Sequence, residues 1–478
     1  MRGISTVVLA LLLWLGPVTL AQEKVNVLFI AVDDLRPELG CYGSEMALTP
    51  HIDGLASGGM VFKRAYCNIP VCGASRASML ASLYPIPGER FLRYDTRLDQ
   101  DAPGAVTLPQ VFKEAGYTTI SNGKVFHDLE DAAGRSWSEP PWRRRGGGAL
   151  LPETMAERSA RGRGSIVEAP DVADDAYIDG QCATKTIEDL RRLKEQDKPF
   201  FLACGFIRPH LPFYAPKKYW DLYDADTLLL AENRFRPREA PRALRGSSEY
   251  RSYFLGELRP GTDRFHRTMR HGYLASVSYI DAQVGRMLQT LDKLGLADNT
   301  IVVFWGDHGF HLGEHDFWGK HNTLEHAARV PLIIRLPRSI NPPDAATGGQ
   351  AVGIVESVDI FPTLIELCRL EHPRDIQGLS FSRLFWQPET DFRDNAYVRY
   401  GNADTLFTKD YAYTRFGPAD DQQMLFDLKA DPQENQNVAN APGSARQLAL
   451  LRYILWVRMQ EAAGKPLFDE DGESLFPG

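Results

Sequence analysis

The sequence predicts an α/β fold: a large, mainly parallel mixed sheet flanked by helices, followed by a smaller C-terminal α+β subdomain. Three observations predict it. Short runs of β-branched and aromatic residues end abruptly in charged residues, as strands buried on both faces of a parallel sheet do. Segments with apolar residues at helical spacing lie between those runs, and strands alternating with helices imply parallel crossovers. Beyond residue 385 the alternation gives way to closely spaced short strands and one final helix.

Along the chain, Arg2, the apolar run Val7 to Leu15 (VVLALLLWL) and the residues VTLA ending at Ala21 form the pattern of a cleavable signal peptide over residues 1–21. The run is too short for a bilayer, which takes about 20 apolar residues, and no later segment approaches that length. A secreted or periplasmic protein without stable membrane insertion is therefore expected. Residues 22–384 are expected to form the large unit. Lys24 to Val32 (KVNVLFIAV) reads as a buried parallel strand running into Asp33 and Asp34. Leu108 to Ala115 reads as a helix. Phe200 to Ala203 is a second strand, leading to GFIRPHLPF. From Ser276, the residues Val277, Ile280, Val284, Met287, Leu288, Leu291 and Leu294 share one helical face, and Gly295 is the stop signal. Thr300 to Phe304 is a third parallel strand, leading to WGDHG, and Val330 to Ile334 a fourth. Ser357 to Leu370 reads as a helix. Two arginine-rich stretches, 140–164 and 234–270, interrupt this order as surface insertions, either simply solvated or forming a rim that attracts a negatively charged polymer. In residues 385–478, Tyr397 to Tyr400, Tyr411 to Arg415 and Met424 to Leu428 read as strands of a small sheet. The turn KADPQENQN follows, then a helix over Gln447 to Ala463.

A net charge of −8 over 478 residues argues against a general nucleic-acid binder, so an anionic substrate would have to meet a local basic pocket. Six cysteines are too sparse for a disulfide framework. Cys204 and Cys368 sit in apolar patterns and read as core residues. Cys67 and Cys72 could pair, or Cys72 could serve chemistry.

Polar groups gather just past the predicted strand ends, where open α/β sheets build their sites. Asp33–Asp34 and Asp307–His308 end two buried strands. Adjacent carboxylates repel, and keeping both ionised near a core takes a compensating cation. Oxygen-rich ligation favours calcium or magnesium over zinc. Lys124, His127, His210 and Lys320 follow other segments of the same order. Cations beside a divalent metal suit a tetrahedral oxyanion, and phosphate and sulfate esters both meet that description.

The stretch CGASR, Cys72 to Arg76, then acquires a meaning. With LFDLKADPQENQNV in the C-terminal part, the chain resembles the type I, formylglycine-dependent sulfatases of the alkaline phosphatase superfamily. NVLFIAVDDLRPELGCYG, GKVFH, HLPF, ASVSYIDAQVGRML and DHGFHLGEH are most similar to the iduronate-2-sulfatase branch. The resemblance implies an alkaline phosphatase-like fold, with residues 22–384 as the catalytic domain. It implies that a formylglycine-generating enzyme oxidises Cys72 to an aldehyde, whose hydrate attacks sulfur and later expels sulfate. It implies one calcium ion per chain held by Asp33, Asp34, Asp307 and His308 and bound to the modified Cys72. By the same resemblance Arg76 and His127 orient the nucleophile, Lys124 and Lys320 neutralise sulfate oxygens, and His210 protonates the leaving oxygen. The substrate implied is a sulfated oligosaccharide or polysaccharide, with a uronate 2-O-sulfate foremost. Ala74 stands where the commoner motif has proline, and the small residues around Cys72 suit a modifying enzyme that binds this segment extended. Two other readings compete: a phosphodiesterase or phosphonate monoester hydrolase of the same superfamily, and a non-catalytic glycan-binding protein.

Overall fold

The computed structural model describes residues 24–144, 148–340, 348–417, 422–469 and 473–476; the expected signal peptide lies outside them. Among the described residues, no helix is long and apolar enough to cross a membrane.

Among the described residues, eight strands make the large sheet: β1 (Asn26–Val32), β2 (Met60–Tyr66), β3 (Thr118–Gly123), β4 (Phe200–Phe206), β5 (Thr300–Gly306), β6 (Arg329–Val330), β7 (Leu332–Arg335) and β8 (Gln350–Glu356). Their order is β8-β2-β7-β5-β1-β4-β3, with β6 also on β2. β1 lies parallel between β4 and β5, and β3 extends the parallel set beyond β4. β8 pairs parallel with β2.

The fourth strand expected to be parallel is not. Val330 to Ile334 divides at Pro331 into β6 and β7, and β7 runs antiparallel to both β2 and β5. A continuous apolar run reports burial on both faces but carries no direction, so periodicity could not have revealed this. β2, β3 and β8 went unread because their polar residues break the apolar pattern. β3 reads TTISNG.

The longer helices are α1 (Pro50–Ser57), α2 (Cys72–Ala81), α3 (Leu108–Glu114), α4 (Pro152–Arg161), α5 (Ile178–Lys194), α6 (Asp263–Lys293), α7 (Ile360–Leu367) and α8 (Ala445–Ala463). α6 begins 13 residues before Ser276, so the second arginine-rich stretch supplies its first turns. Thr262 caps it, accepting from the backbone N–H of Phe265. The first arginine-rich stretch contains α4. Ser357–Asp359 forms a 3-10 turn ahead of α7.

Because side chains alternate along a strand, β1 feeds two cores. Leu28, Ile30 and Val32 pack with α5 and α6 residues such as Leu190, Ile280 and Met287. Val27, Phe29 and Ala31 pack with Ala77 and Leu80 of α2, Phe112 of α3 and Leu364 of α7. Each fully buried Leu, Ile or Phe contributes about 1.5–3 kcal/mol, so the two layers press the sheet from both sides. Cys67 and Cys72 do not pair; both are free and buried, as are Cys204 and Cys368.

A four-stranded antiparallel sheet follows: β9 (Asn395–Tyr400), β10 (Ala403–Thr408), β11 (Tyr411–Phe416) and β12 (Gln423–Asp427), in sequential order. Glu356, buried at the end of β8, joins this sheet and α8 to the large one. It accepts from Tyr397 N (2.8 Å), Asn68 Nδ2 (3.0 Å) and Tyr84 OH (2.6 Å), and it pairs with Arg458 of α8 at 2.7 Å.

Candidate active site

The parallel strands β1, β3, β4 and β5 end at one edge of the sheet, and β2 ends there too. Asp33 and Asp34 follow β1, Lys124 follows β3, His210 lies just past β4, and Asp307 and His308 follow β5. Adjacent strands hold these ends together: Asp307 N donates to Val32 O (3.0 Å) and Asp33 N to Phe206 O (3.3 Å). Lys124 N donates to Gly205 O (2.7 Å). A Cβ at Gly205 would sit 1.9 Å from the Lys124 carbonyl oxygen, so only glycine lets the Lys124 loop cross the end of β4.

Cys72 opens α2, and Arg76 lies one turn later on the same face. A Cβ at Gly73 would lie 2.0 Å from the Tyr94 carbonyl oxygen, so packing requires glycine here. Ser75 Oγ donates to Asp307 O (2.5 Å). Arg76, fully buried, donates through Nε to Asp307 Oδ2 (2.8 Å) and through one terminal nitrogen to the carbonyls of Lys124 and Val125. Its other terminal nitrogen is buried without a partner among the described residues.

The centre is a knot of opposite charges. Lys124 Nζ pairs with Asp33 Oδ2, and Lys320 Nζ lies 2.8 and 2.9 Å from the two oxygens of Asp34. His308 Nε2 sits 3.4 Å from Cys72 Sγ, 3.4 Å from Asp34 Oδ1, 3.6 Å from Asp307 Oδ1 and 3.9 Å from Asp33 Oδ1. Burial opposes ionisation of every carboxylate here. For Asp33 the nearby cations, Lys124 first, overcome it and hold the carboxyl well below its usual range. Asp307 yields to burial and to Asp33 and is pushed up to about 7. Burial would lower His308, but Asp307 and Cys72 raise it to about 9. Burial and Asp33 would raise the Cys72 thiol, yet Lys124, Lys320 and His308 hold it well below its ordinary value.

This geometry accommodates a hard divalent ion. One ligand atom each from Asp33, Asp34, Cys72 and His308 lies within 4.8 Å of the others. Asp33 Oδ1 is buried without a hydrogen-bond partner among the described residues, which is costly unless a cation satisfies it. His308 Nδ1 lies 3.0 Å from Gly309 O; as donor there, it leaves Nε2 facing the carboxylates, where a cation would displace the Nε2 proton and take the lone pair.

His210 and Lys320 meet through a residue that the sequence did not single out. Glu249 Oε1 lies 3.2 Å from His210 Nε2 and Glu249 Oε2 lies 2.9 Å from Lys320 Nζ. Burial opposes its ionisation, but Lys320 and His210 together depress the Glu249 carboxyl strongly. His210, which burial and Lys320 would lower, is raised well above its ordinary value by Asp34 and Glu249. Glu249 lies in SSEYRS inside the second arginine-rich stretch, and nothing in that local pattern marks it. Arg143 was also missed as an individual. From the first stretch it donates to the carbonyls of Gly123 (3.1 Å), Phe126 (2.8 Å) and His127 (2.9 Å), clamping the Lys124 loop.

The structure thus gathers Cys72, Arg76, Lys124, His210, Lys320, Asp33, Asp34, Asp307 and His308 in one network. His127 joins that network through no side-chain hydrogen bond among the described residues. Its Nδ1 is buried without a partner, and its ring contacts Tyr94 edge-on at 6.0 Å, the residue whose carbonyl packs on Gly73.

Residues 25–369 match the family model described as Sulfatase, and residues 313–461 match the model described as N-sulphoglucosamine sulphohydrolase, C-terminal. The chain is 35% identical over 394 residues to iduronate 2-sulfatase of Homo sapiens, covering 73% of this chain and 70% of that one. It is 30% identical over 459 residues to a sulfatase of Formosa agariphila, covering 87% and 83%. Among solved structures, a phosphonate monoester hydrolase from Silicibacter pomeroyi superposes with a TM-score of 0.73 at 25% identity, over 92% of this chain and 96% of that one.

Proposed function

The chain belongs to the sulfatase family, and from that premise we propose that it is a secreted hydrolase that removes the 2-O-sulfate of a uronate in a sulfated glycan. The observation that carries this is the meeting of Cys72 Sγ with His308 Nε2 at 3.4 Å, inside a ring of three buried carboxylates flanked by Lys124 and Lys320. In this reading the Cys72 sulfur stands in for the oxygen of an aldehyde-derived side chain.

Hydrated, that aldehyde would supply the attacking oxygen. Calcium held by Asp33, Asp34, Asp307 and His308 would supply positive charge to a sulfate oxygen. The chain's own residues do the rest. Lys124 and Lys320 bring two buried ammonium groups to the site, where excluded water makes their charge count for more. Arg76, with one terminal nitrogen unpaired, orients the group at position 72 from one turn away. His210 holds Nδ1 against Leu211 O at 2.6 Å, so the proton it can give the leaving sugar oxygen is on Nε2, now facing Glu249. The bond from sulfur to the sugar oxygen would break as that oxygen takes the His210 proton; the attacking hydroxyl would lose its proton and gain the sulfuryl group, and the hydrate's second hydroxyl would then lose its proton, expel sulfate and restore the aldehyde.

Mass spectrometry of the Cys72 peptide from native-host protein tests the nucleophile, and the expected species is the aldehyde or its hydrate. Turnover of defined sulfated oligosaccharides tests the substrate. An unmodified thiol, or turnover of sulfate esters other than uronate 2-O-sulfates alone, would overturn the corresponding part. The likeness to a phosphonate monoester hydrolase supports a second reading, hydrolysis of phosphodiesters or phosphonate monoesters at the same centre. Parallel assays with aryl phosphodiesters separate the two, and cleavage of those alone would reject the sulfate reading.

A further inference from the structure

The second arginine-rich stretch is joined by backbone hydrogen bonds to the end of the first and to the residues just after it: Phe254 N donates to Gly164 O (3.0 Å) and Ile166 N to Phe254 O (3.0 Å). Where they join, they border a cavity of about 330 Å³. Its charged lining is cationic throughout, from Arg158 and Arg163 of the first stretch and Arg208 of the segment after β4. Among the described residues, none of the three forms an ion pair.

The arginines differ in how they are held. Arg208 is 6% exposed; its Nε donates to Tyr214 O (3.2 Å), and a terminal nitrogen donates to His210 O (2.8 Å). Arg163 lies over the Tyr253 ring, 5.0 Å from its centroid, and donates to the Tyr253 hydroxyl (3.0 Å). The Arg158 side chain crosses Gly148, where an added Cβ would strike a guanidinium nitrogen at 2.0 Å. Three guanidinium groups, two of them set against tyrosines, form a cradle suited to planar or tetrahedral oxyanions.

The cavity also adjoins the catalytic centre through two segments. One carries His210 in the centre and Pro212 in the cavity wall; the other carries Glu249 in the centre and Tyr253 in the wall. Two residues of chain span at most about 7 Å. An extended ligand with one anionic group at Cys72 therefore has a second cationic station within reach along its length.

We propose that this cavity is a second anion subsite, binding a sulfate or carboxylate on a sugar neighbouring the one that loses its sulfate. The proposal rests on the sulfated-glycan reading above and extends it. It makes the enzyme select a chain bearing a second negative charge over a small singly sulfated ester.

The test uses the full chain and two probes: a heparin-derived tetrasaccharide ending in a 2-O-sulfated uronate, and the matching disaccharide with that sulfate alone. Binding is measured by titration calorimetry in low and high salt, and turnover in parallel. The expected result is that Arg158→Ala/Arg163→Ala weakens tetrasaccharide binding roughly tenfold or more, with a shallower salt dependence, and leaves the disaccharide unchanged. Arg158→Gln/Arg163→Gln should behave the same and guards against loss of packing. A control pair remote from the cavity, Arg191→Ala/Arg338→Ala, removes equal charge and should change neither probe. Carboxyl-reduced and selectively desulfated tetrasaccharides show which anion is held. Wild-type affinity in both cavity variants, or equal weakening in the control pair, overturns the proposal. A wild-type protein that turns over phosphodiesters but no sulfate ester defeats the functional reading separately, because tetrasaccharide binding is read without turnover.

Discussion

Replacing Gly73 by alanine asks why the residue after Cys72 must be small. The added Cβ would lie 2.0 Å from Tyr94 O, 2.7 Å from Tyr94 C and 3.0 Å from Thr96 N. That is roughly 1.5 Å inside the ~3.5 Å at which such atoms rest. The obstacle is backbone, so no rotamer relieves it; α2 or the Tyr94–Thr96 segment has to shift. Overpacking of this kind costs about 1–3 kcal/mol or more. The gain in helix propensity, about 1 kcal/mol at a helix interior and less in a first turn, offsets only part. A net loss of about 2 kcal/mol is expected. With an unfolding entropy of about 2.1 cal/mol/K per residue, a chain of this length should melt about 2 °C lower. A shift of Tyr94 would also disturb its edge contact with His127. Differential scanning calorimetry reads the first effect, and kcat/KM, normalised to aldehyde content by mass spectrometry, reads the second. If Gly73→Ala keeps both the wild-type melting temperature and wild-type normalised activity, the steric argument is wrong. If only aldehyde content falls, recognition by the maturation enzyme is the sole constraint at this position.

Glu249→Gln should move the alkaline limb of the pH–rate profile down by roughly one to three units, because an opposite charge beside His210 would be lost. An unmoved limb would separate His210 from the proton transfer. The same pair gives a stability window. Glu249, depressed in the fold, stabilises above its unfolded value of 4.5 and loses this as pH falls; His210, raised in the fold, stabilises below 6.5 and loses this as pH rises. Their joint contribution should therefore peak between those values in wild-type thermal melts and flatten in Glu249→Gln. Removing calcium with a chelator should abolish activity and lower the melting temperature, and readded calcium should restore both in proportion to its concentration. Chelation that changes neither would remove the ion from the site. Glu356→Ala leaves Arg458 without its buried carboxylate, while Arg393 keeps Asp359, and should cost about 3–5 kcal/mol. Urea unfolding checks this, and a loss under 1 kcal/mol would show that the C-terminal sheet is anchored elsewhere.

The α/β class, the three long parallel strands and the residues placed at their ends were legible in the order of residues, because burial and helical spacing leave periodic traces there. CGASR and the pairs Asp33–Asp34 and Asp307–His308 were equally legible, since their chemistry demands particular residue types. Strand direction at β7 was decided only in three dimensions, where Pro331 divides the run and β7 enters between β2 and β5. Polar strands such as β3 were likewise invisible, because neighbouring strands, rather than their own apolar content, supply their stability. Glu249 and Arg143 belong to insertions that local pattern could describe only as charged and exposed. Tertiary structure folds those insertions against the strand ends, bringing a carboxylate between His210 and Lys320 and a guanidinium onto three carbonyls of the Lys124 loop. Ion pairs and hydrogen bonds join residues far apart in the chain, so their partners leave no local period to read.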